Sequence, residues 1–115
     1  MTYTGSCHCG NIAFEVEGEI EQAMACNCSI CQRKGSLLWF MPREKFRLVT
    51  PESAISTYTF NERTIKHQFC PVCGMHPFAE GTDAKGNAMV AINIRCIEDI
   101  DPEAVPVQHY DGRSL

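Results

Sequence analysis

Three cysteines in six residues, Cys26-Asn27-Cys28-Ser29-Ile30-Cys31, restrict this chain more than any other stretch does. Cysteine packs well as a small hydrophobe, but packing gives no reason for three of them at the spacing C-x-C-x-x-C. At that spacing the sulfurs can surround one point, and a soft divalent ion, most commonly zinc, is what such a point holds. The other five of the eight cysteines are two pairs, Cys7-His8-Cys9-Gly10 and Cys70-Pro71-Val72-Cys73-Gly74, and the single Cys96. The pairs supply four thiols and the triplet three. That division points to one closed metal site and one open site, and a zinc with three protein ligands is the usual arrangement for chemistry.

Cys70 to Gly74 reads as a metal knuckle. Its proline fixes the approach, its two sulfurs fall on one side, and its glycine tolerates positive φ so that backbone amides can turn toward the thiolates. These amides matter because four thiolates around one Zn2+ leave a net charge of −2, which N–H···S bonds disperse. Cys7 to Gly10 is a shorter version with the same glycine. Each knuckle gives two ligands where a structural zinc takes four, so the pairs complete each other most simply. The triplet needs a fourth ligand, and the candidates are Cys96, His8, His67, His76 and His109. If one of them closes the site, the metal is scaffolding. If none does, water or a substrate thiol takes the position. The spacing alone admits both, and it also admits exchange of ligands between the two sites.

Paired as disulfides, eight cysteines would mean something else. The first residues, Met1-Thr2-Tyr3-Thr4-Gly5-Ser6, show no basic stretch followed by an apolar run, so no secretory leader is expected. The apolar runs are far too short to span a bilayer. A reducing, cytoplasmic setting follows, and there clustered cysteines read as metal sites. With 115 residues, 44% hydrophobic and 21% charged, the chain fits one soluble domain over residues 1–115. Its formal charge of −4 argues against nucleic acid as a partner. Nothing in it fixes an oligomeric state.

Periodicity favours a mainly-β chain of about eight short strands. Residues 11–17 alternate Ile12, Phe14 and Val16 against polar neighbours, the mark of a half-buried strand. Residues 23–25 deliver the triplet, and 29–34 form one helical turn with Ser29 as cap and Gly35 as stop. Strands are expected at 36–41, 46–50, 55–60, 64–69, 75–80 and 107–110, with a hairpin tip at Asn61-Glu62. The run 88–95 is apolar enough to be central. Residues 42–45 read as a turn, or as one helical turn opened by Pro42. One of Trp39 and Phe40 is expected to pack inward. Cys96 reads first as a packing residue, His8 as pointing away from the ligands beside it, and His67 and His76 as polar strand residues or as an acid or base facing a cleft. His109 to Gly112 reads as a strand end without a role. Arg33, Lys34, Arg63, Lys66 and Arg95 are the cations available to offset thiolate charge or hold substrate carboxylates.

The segments Gly5-Ser6-Cys7-His8-Cys9-Gly10, Cys26 to Cys31 and Phe69-Cys70-Pro71-Val72-Cys73-Gly74 resemble, in order and in spacing, the three motifs of the glutathione-dependent formaldehyde-activating enzyme family, which shares its domain with centromere protein V. Ile92 to Ile97 resembles the late strand of many members. The resemblance implies a β-tent type fold, with small twisted β-sheets around two zinc ions. It implies that Cys7, Cys9, Cys70 and Cys73 are the structural zinc ligands and that Cys26, Cys28 and Cys31 hold the catalytic zinc. It also implies a carbon–sulfur lyase whose substrates are a thiol, glutathione in the named activity, and formaldehyde or another small aldehyde. The chain is shorter than the named enzyme, between the motifs where a tripeptide would be gripped. Two other readings of the same cysteines are a two-zinc β module that binds another protein, with the second metal closed by Cys96 or a histidine, and a thiol sensor that releases zinc on oxidation.

Overall fold

The computed structural model describes residues 1–60 and 64–114, so the expected hairpin tip at Asn61-Glu62, together with Arg63, lies outside the described residues. The chain is mainly β, with one short α-helix and ten strands among the described residues. A three-stranded sheet is built from β1 (Thr2–Ser6), β2 (Ala13–Glu17) and β5 (Phe46–Leu48), in that order. The second sheet has seven strands: β3 (Ala23–Cys26), β4 (Leu38–Pro42), β6 (Ser56–Tyr58), β7 (Lys66–Phe69), β8 (Phe78–Thr82), β9 (Ala88–Asn93) and β10 (Val107–Tyr110). Across the sheet they run β10-β3-β4-β9-β8-β7-β6. Every pairing is antiparallel except β10 on β3, which is parallel.

The strand expected at 88–95 is the centre of the larger sheet, flanked by β4 and β8. It stops at Asn93, and Ile94–Cys96 turns away as a single 3-10 turn whose cap is the Asn93 side chain, accepting from the Arg95 amide. The alternation in residues 11–17 is the buried face of β2, with Phe14 and Val16 both sealed. Residues 42–45 resolve into a 3-10 turn, Arg43–Lys45, with Pro42 just before it. β1 was not expected. It pairs with β2 over its full length and carries one fully buried residue, Gly5, so its sequence shows no apolar face. The one helix, α1 (Ser29–Lys34), stops at Gly35 as expected, but its cap position is Cys28 rather than Ser29.

Residues paired across neighbouring strands share a face. Gln68, Phe78, Ile92 and Trp39 form one such row, and it faces the three-stranded sheet. Between the sheets Phe14, Phe46 and Phe78 meet with ring centroids 4.6 to 6.4 Å apart. Each buried phenylalanine contributes about 1.5–3 kcal/mol, and each ring pair roughly 0.5–1.5 kcal/mol more. Trp39 packs edge-on to Tyr3 at 5.9 Å, whereas its neighbour Phe40 points to the opposite face and is exposed. On that opposite face the row is Phe40, Ala91, Ala79, His67 and Tyr58. The two central alanines leave a hollow, and α1 lies in it through Cys31 and Ile30.

Gly5 bridges to Ile97 and sets how closely β1 approaches the turn after β9. A Cβ there would overlap the tip of the Phe14 ring and stand 2.6 Å from the Cys96 carbonyl oxygen, and neither can give way. Gly5→Ala is therefore expected to lower stability by about 1–3 kcal/mol, the usual range for overpacking. A chemical-denaturation midpoint equal to that of the parent would contradict this packing.

Candidate metal centres

Two sulfur clusters form. In the first, the ligand atoms of Cys7, Cys9, Cys70 and Cys73 all lie within 4.8 Å of one another. Cys7 follows directly on β1 and Cys70 directly on β7, so the register of both sheets fixes where the knuckles meet. The two knuckles share a hydrogen-bond frame despite their different spacing. The Cys7 amide donates to the Ile12 carbonyl and the Cys70 amide to the Met75 carbonyl, at 3.0 and 2.9 Å. The Gly10 and Gly74 amides donate back to the Cys7 and Cys70 carbonyls, and both glycines have positive φ, 84° and 80°. The Ile12 and Cys73 amides donate to the sulfurs of Cys7 and Cys70 at 3.3 and 3.4 Å. The Cys7–Cys9 and Cys9–Cys70 sulfurs are 3.7 and 3.6 Å apart. A tetrahedral zinc with bonds of about 2.3 Å needs sulfurs about 3.8 Å apart, so this donor set fits such an ion.

The same amides divide the thiols when they hold protons. The Met75 amide brings Cys73 down to about 6, and the Cys73 amide lowers Cys70. Cys9 also has an amide, from Asn11, but desolvation and the neighbouring sulfurs push it up to about 11. Cys7 and Cys70 are sealed and Cys9 is exposed, so the cluster has one wet edge.

The second cluster is Cys26, Cys28 and Cys31, again within 4.8 Å of one another. Cys26 ends β3, Cys28 opens α1, and Cys31 sits on the buried side of α1 against Leu38, Ala79 and Ala91. The Cys28 amide donates to the Cys26 sulfur at 3.4 Å. Burial works to raise Cys28, but the amides of Cys31 and Ile30 and the neighbouring thiols outweigh it, and its net shift is downward. Burial, with the Cys28 sulfur adding to it, pushes Cys31 up to about 12.

None of the suggested fourth donors joins the triplet among the described residues. Cys96 lies beside the first cluster. Its sulfur is 3.8 Å from the Asn93 side-chain Nδ2 and 3.9 Å from the His76 carbonyl, and burial, with Cys7 and Cys73 nearby, pushes it up to about 11. His8 and His109 are exposed. His76 places Nδ1 2.7 Å from the Gln68 carbonyl, and its buried Nε2 has no partner. His67 is buried on β7 with Nδ1 3.2 Å from the Lys34 Nζ. Desolvation brings both histidines down to about 4, so both are neutral imidazoles at pH 7.

Among the cations, the geometry distinguishes Lys34. It stands one helical turn after Cys31 and is half-buried. Burial lowers its pKa, while the Cys31 and Cys28 thiolates pull it back up. Arg33 is exposed and donates from one terminal nitrogen to the Ser29 carbonyl at 2.8 Å. Lys66 and Arg95 are also exposed, and Lys66 lines a cavity with Arg43 and Glu80, on the face away from His67.

The segment after β10, for which sequence reasoning found no role, lies across the triplet. The Asn27 side chain donates to Asp111 Oδ1 and accepts from the Arg113 amide, both at 2.9 Å, while its own amide donates to the Tyr110 carbonyl at 3.2 Å. The Arg113 guanidinium also bonds Gln32 on α1. A Cβ at Gly112 would stand 2.6 Å from the Cys26 sulfur and 3.2 Å from the Cys28 Cβ. The available signals were an asparagine between two ligands and an Asp-Gly pair near the end of the sequence. Neither has meaning until β10 is laid beside β3.

Residues 2–110 match the family described as glutathione-dependent formaldehyde-activating enzyme. The chain belongs to that family. The match takes in all three cysteine motifs and β1 through β10. Among solved structures, a crystal structure of a Rhodobacter sphaeroides protein is similar to this member, with a TM-score of 0.78 and 29% identity over 91% of this chain and 99% of that one.

Two substitutions test this arrangement. Cys96→Ala is expected to keep the metal content of the parent, measured by elemental analysis after loading and desalting. Loss of one ion would show that Cys96 completes the triplet. Gly112→Ala, which pushes on Cys26 without removing a sulfur, is expected to weaken one of two metals about tenfold in chelator competition, the lower end of what displaced supporting contacts cost. Equal weakening of both metals would contradict the placement of the segment over one cluster.

Proposed function

We propose that this chain is a cytoplasmic, zinc-dependent carbon–sulfur lyase of the formaldehyde-activating type. On this reading residues 1–115 form one domain. Cys7, Cys9, Cys70 and Cys73 hold a structural zinc, and Cys26, Cys28 and Cys31 hold a second zinc whose fourth position receives a thiol such as glutathione. The observation that carries the reading is the three-sulfur cluster with no fourth donor beside it among the described residues. Zinc bound there lowers the pKa of an incoming thiol and holds its sulfur toward an aldehyde.

The remaining work falls to side chains of this protein. Three thiolates on a dication already carry an excess negative charge, and a substrate thiolate adds another. Lys34, whose charge is felt at Cys31 and Cys28, offsets it. Its bond to His67 Nδ1 directs the ammonium. Ile30, Leu38, Ala79 and Ala91 exclude water from the buried side of the cluster, and Asn27 with residues 110–113 encloses the Cys26 side. In the reaction a sulfur–carbon bond forms, the carbonyl π pair moves to oxygen, and that oxygen takes up the proton the thiol gave up. The product is an S-hydroxymethyl thiol. Proximity supplies much of the rate, because two small reactants are held in one place. The protein-binding alternative needs Cys96 or a histidine at the triplet, and the position of Cys96 beside Cys7 and Cys73 speaks for the open site.

The zinc-loaded protein is expected to speed the exchange of glutathione and formaldehyde with their adduct, followed by NMR exchange spectroscopy, above the spontaneous rate. Lys34→Met is expected to lower that acceleration about tenfold, the factor one pKa unit represents, and Lys34→Arg to restore part of it. No acceleration with glutathione removes that substrate, and none with any thiol removes the lyase reading.

A further inference from the structure

A cleft of about 350 Å3 opens along α1, lined by Ser29, Ile30, Arg33, Lys34, Tyr58 and Phe60. It adjoins the triplet through two of these residues. Ile30, like Cys26 and Cys28, packs against the buried group that contains Cys31, and Lys34 is the cation that acts on Cys28 and Cys31. Its far wall is aromatic. Tyr58 and Phe60 stack at 5.8 Å with 24° between their planes, and Phe60 stacks in turn on His67 at 5.5 Å. Tyr58 lies on β6, the last strand of the sheet, and is 52% exposed, so a large ring face is presented rather than buried.

The charges that the described residues bring to the cleft are one-sided. Arg33 and Lys34 face it, and no carboxylate is among the described lining residues. Among the described residues one guanidinium nitrogen of Arg33 is committed, to the Ser29 carbonyl, which leaves further donors of the fork for a ligand carboxylate. Glutathione carries two carboxylates and an ammonium and has no ring. Here its carboxylates find partners, but its ammonium meets two like charges and the aromatic wall gains no ring to stack on. A flat apolar body with a carboxylate and no ammonium meets every feature of the cleft.

We propose that this cleft binds the body of the thiol substrate and selects an aromatic mercaptocarboxylate over glutathione, with Tyr58 and Phe60 stacking on the ring and Arg33 holding the carboxylate. The proposal rests on the triplet acting on a thiol, as argued above, and names the class of thiol.

The test uses ligands that share one scaffold, added to the zinc-loaded protein: 3-phenylpropanoate, phenylalanine, which differs by an ammonium, and 2-mercapto-3-phenylpropanoate, which has a thiol in its place. Binding is read from NMR shifts, independently of any reaction. 3-Phenylpropanoate is expected to shift the Tyr58 and Phe60 ring signals and to bind at least about fivefold more tightly than phenylalanine. Tyr58→Ala and Arg33→Gln, both at exposed positions, are each expected to weaken it about three- to tenfold. With formaldehyde, the mercapto acid is expected to be turned over faster than glutathione. Equal binding of 3-phenylpropanoate and phenylalanine, or indifference to both substitutions, overturns the proposal even if glutathione reacts, and leaves the lyase reading intact. Binding as expected with no thiol accelerated overturns the lyase reading, and with it the assignment of this cleft to a thiol.

Discussion

The meeting of four sulfurs from two cysteine pairs at least 61 residues apart is the constraint on which the rest of the structure depends. Cys7 and Cys9 close the end of β1, and Cys70 and Cys73 close the end of β7. Joining them ties the leading strand of the three-stranded sheet to the far half of the seven-stranded one. A chain of this size has a net stability of about 5–15 kcal/mol, and a structural zinc in small peptides contributes an amount of the same order. A metal at this point therefore has the weight of the whole hydrophobic balance. The amides of Ile12 and Cys73 are already directed at the sulfurs, so the knuckles match the charge they would have to hold.

With the frame held from that end, the two faces of the larger sheet have different tasks. Phe14, Phe46 and Phe78 fill the side toward the small sheet. The opposite side is thinned by Ala79 and Ala91, and α1 settles into the gap with Cys31 beneath it. Larger residues at 79 and 91 would lift the helix and open the triplet. The three-sulfur cluster thus depends on small side chains in mid-sheet, on a six-residue helix too short to stand alone, and on the segment bound through Asn27. Lys34, His67, Tyr58 and Phe60 come to one place because β7, β6 and α1 converge at that edge.

Much of this was legible in the sequence, because cysteine spacing and strand alternation are local. The 4 + 3 division of sulfurs, the glycines at 10 and 74, the stop at Gly35 and a central strand beginning at Ala88 all follow from residues within a few positions of each other. What escaped depends on tertiary contact. β1 shows no apolar face, since its buried position is a glycine. Ser29 has the chemistry of a cap, but the metal knuckle takes that position for Cys28. Cys96 could be read as a packing residue or as the fourth donor of the triplet until the bridge between Gly5 and Ile97 brought it beside Cys7. Lys34 stood among five interchangeable cations until its distance to His67 distinguished it. Gly112, in its Asp-Gly pair, could be read only as a strand end, because its role is to leave room for the sulfur of Cys26, which is distant in sequence.

The central claim, that this protein leaves one of its two metals short of a protein ligand, is tested most directly by zinc X-ray absorption on protein purified under reducing, chelator-free conditions. The account predicts two zinc ions per chain sharing seven sulfurs at about 2.3 Å, with one oxygen or nitrogen completing the second ion. A spectrum of eight sulfurs, four to each ion, or a chain that retains a single zinc, would contradict it.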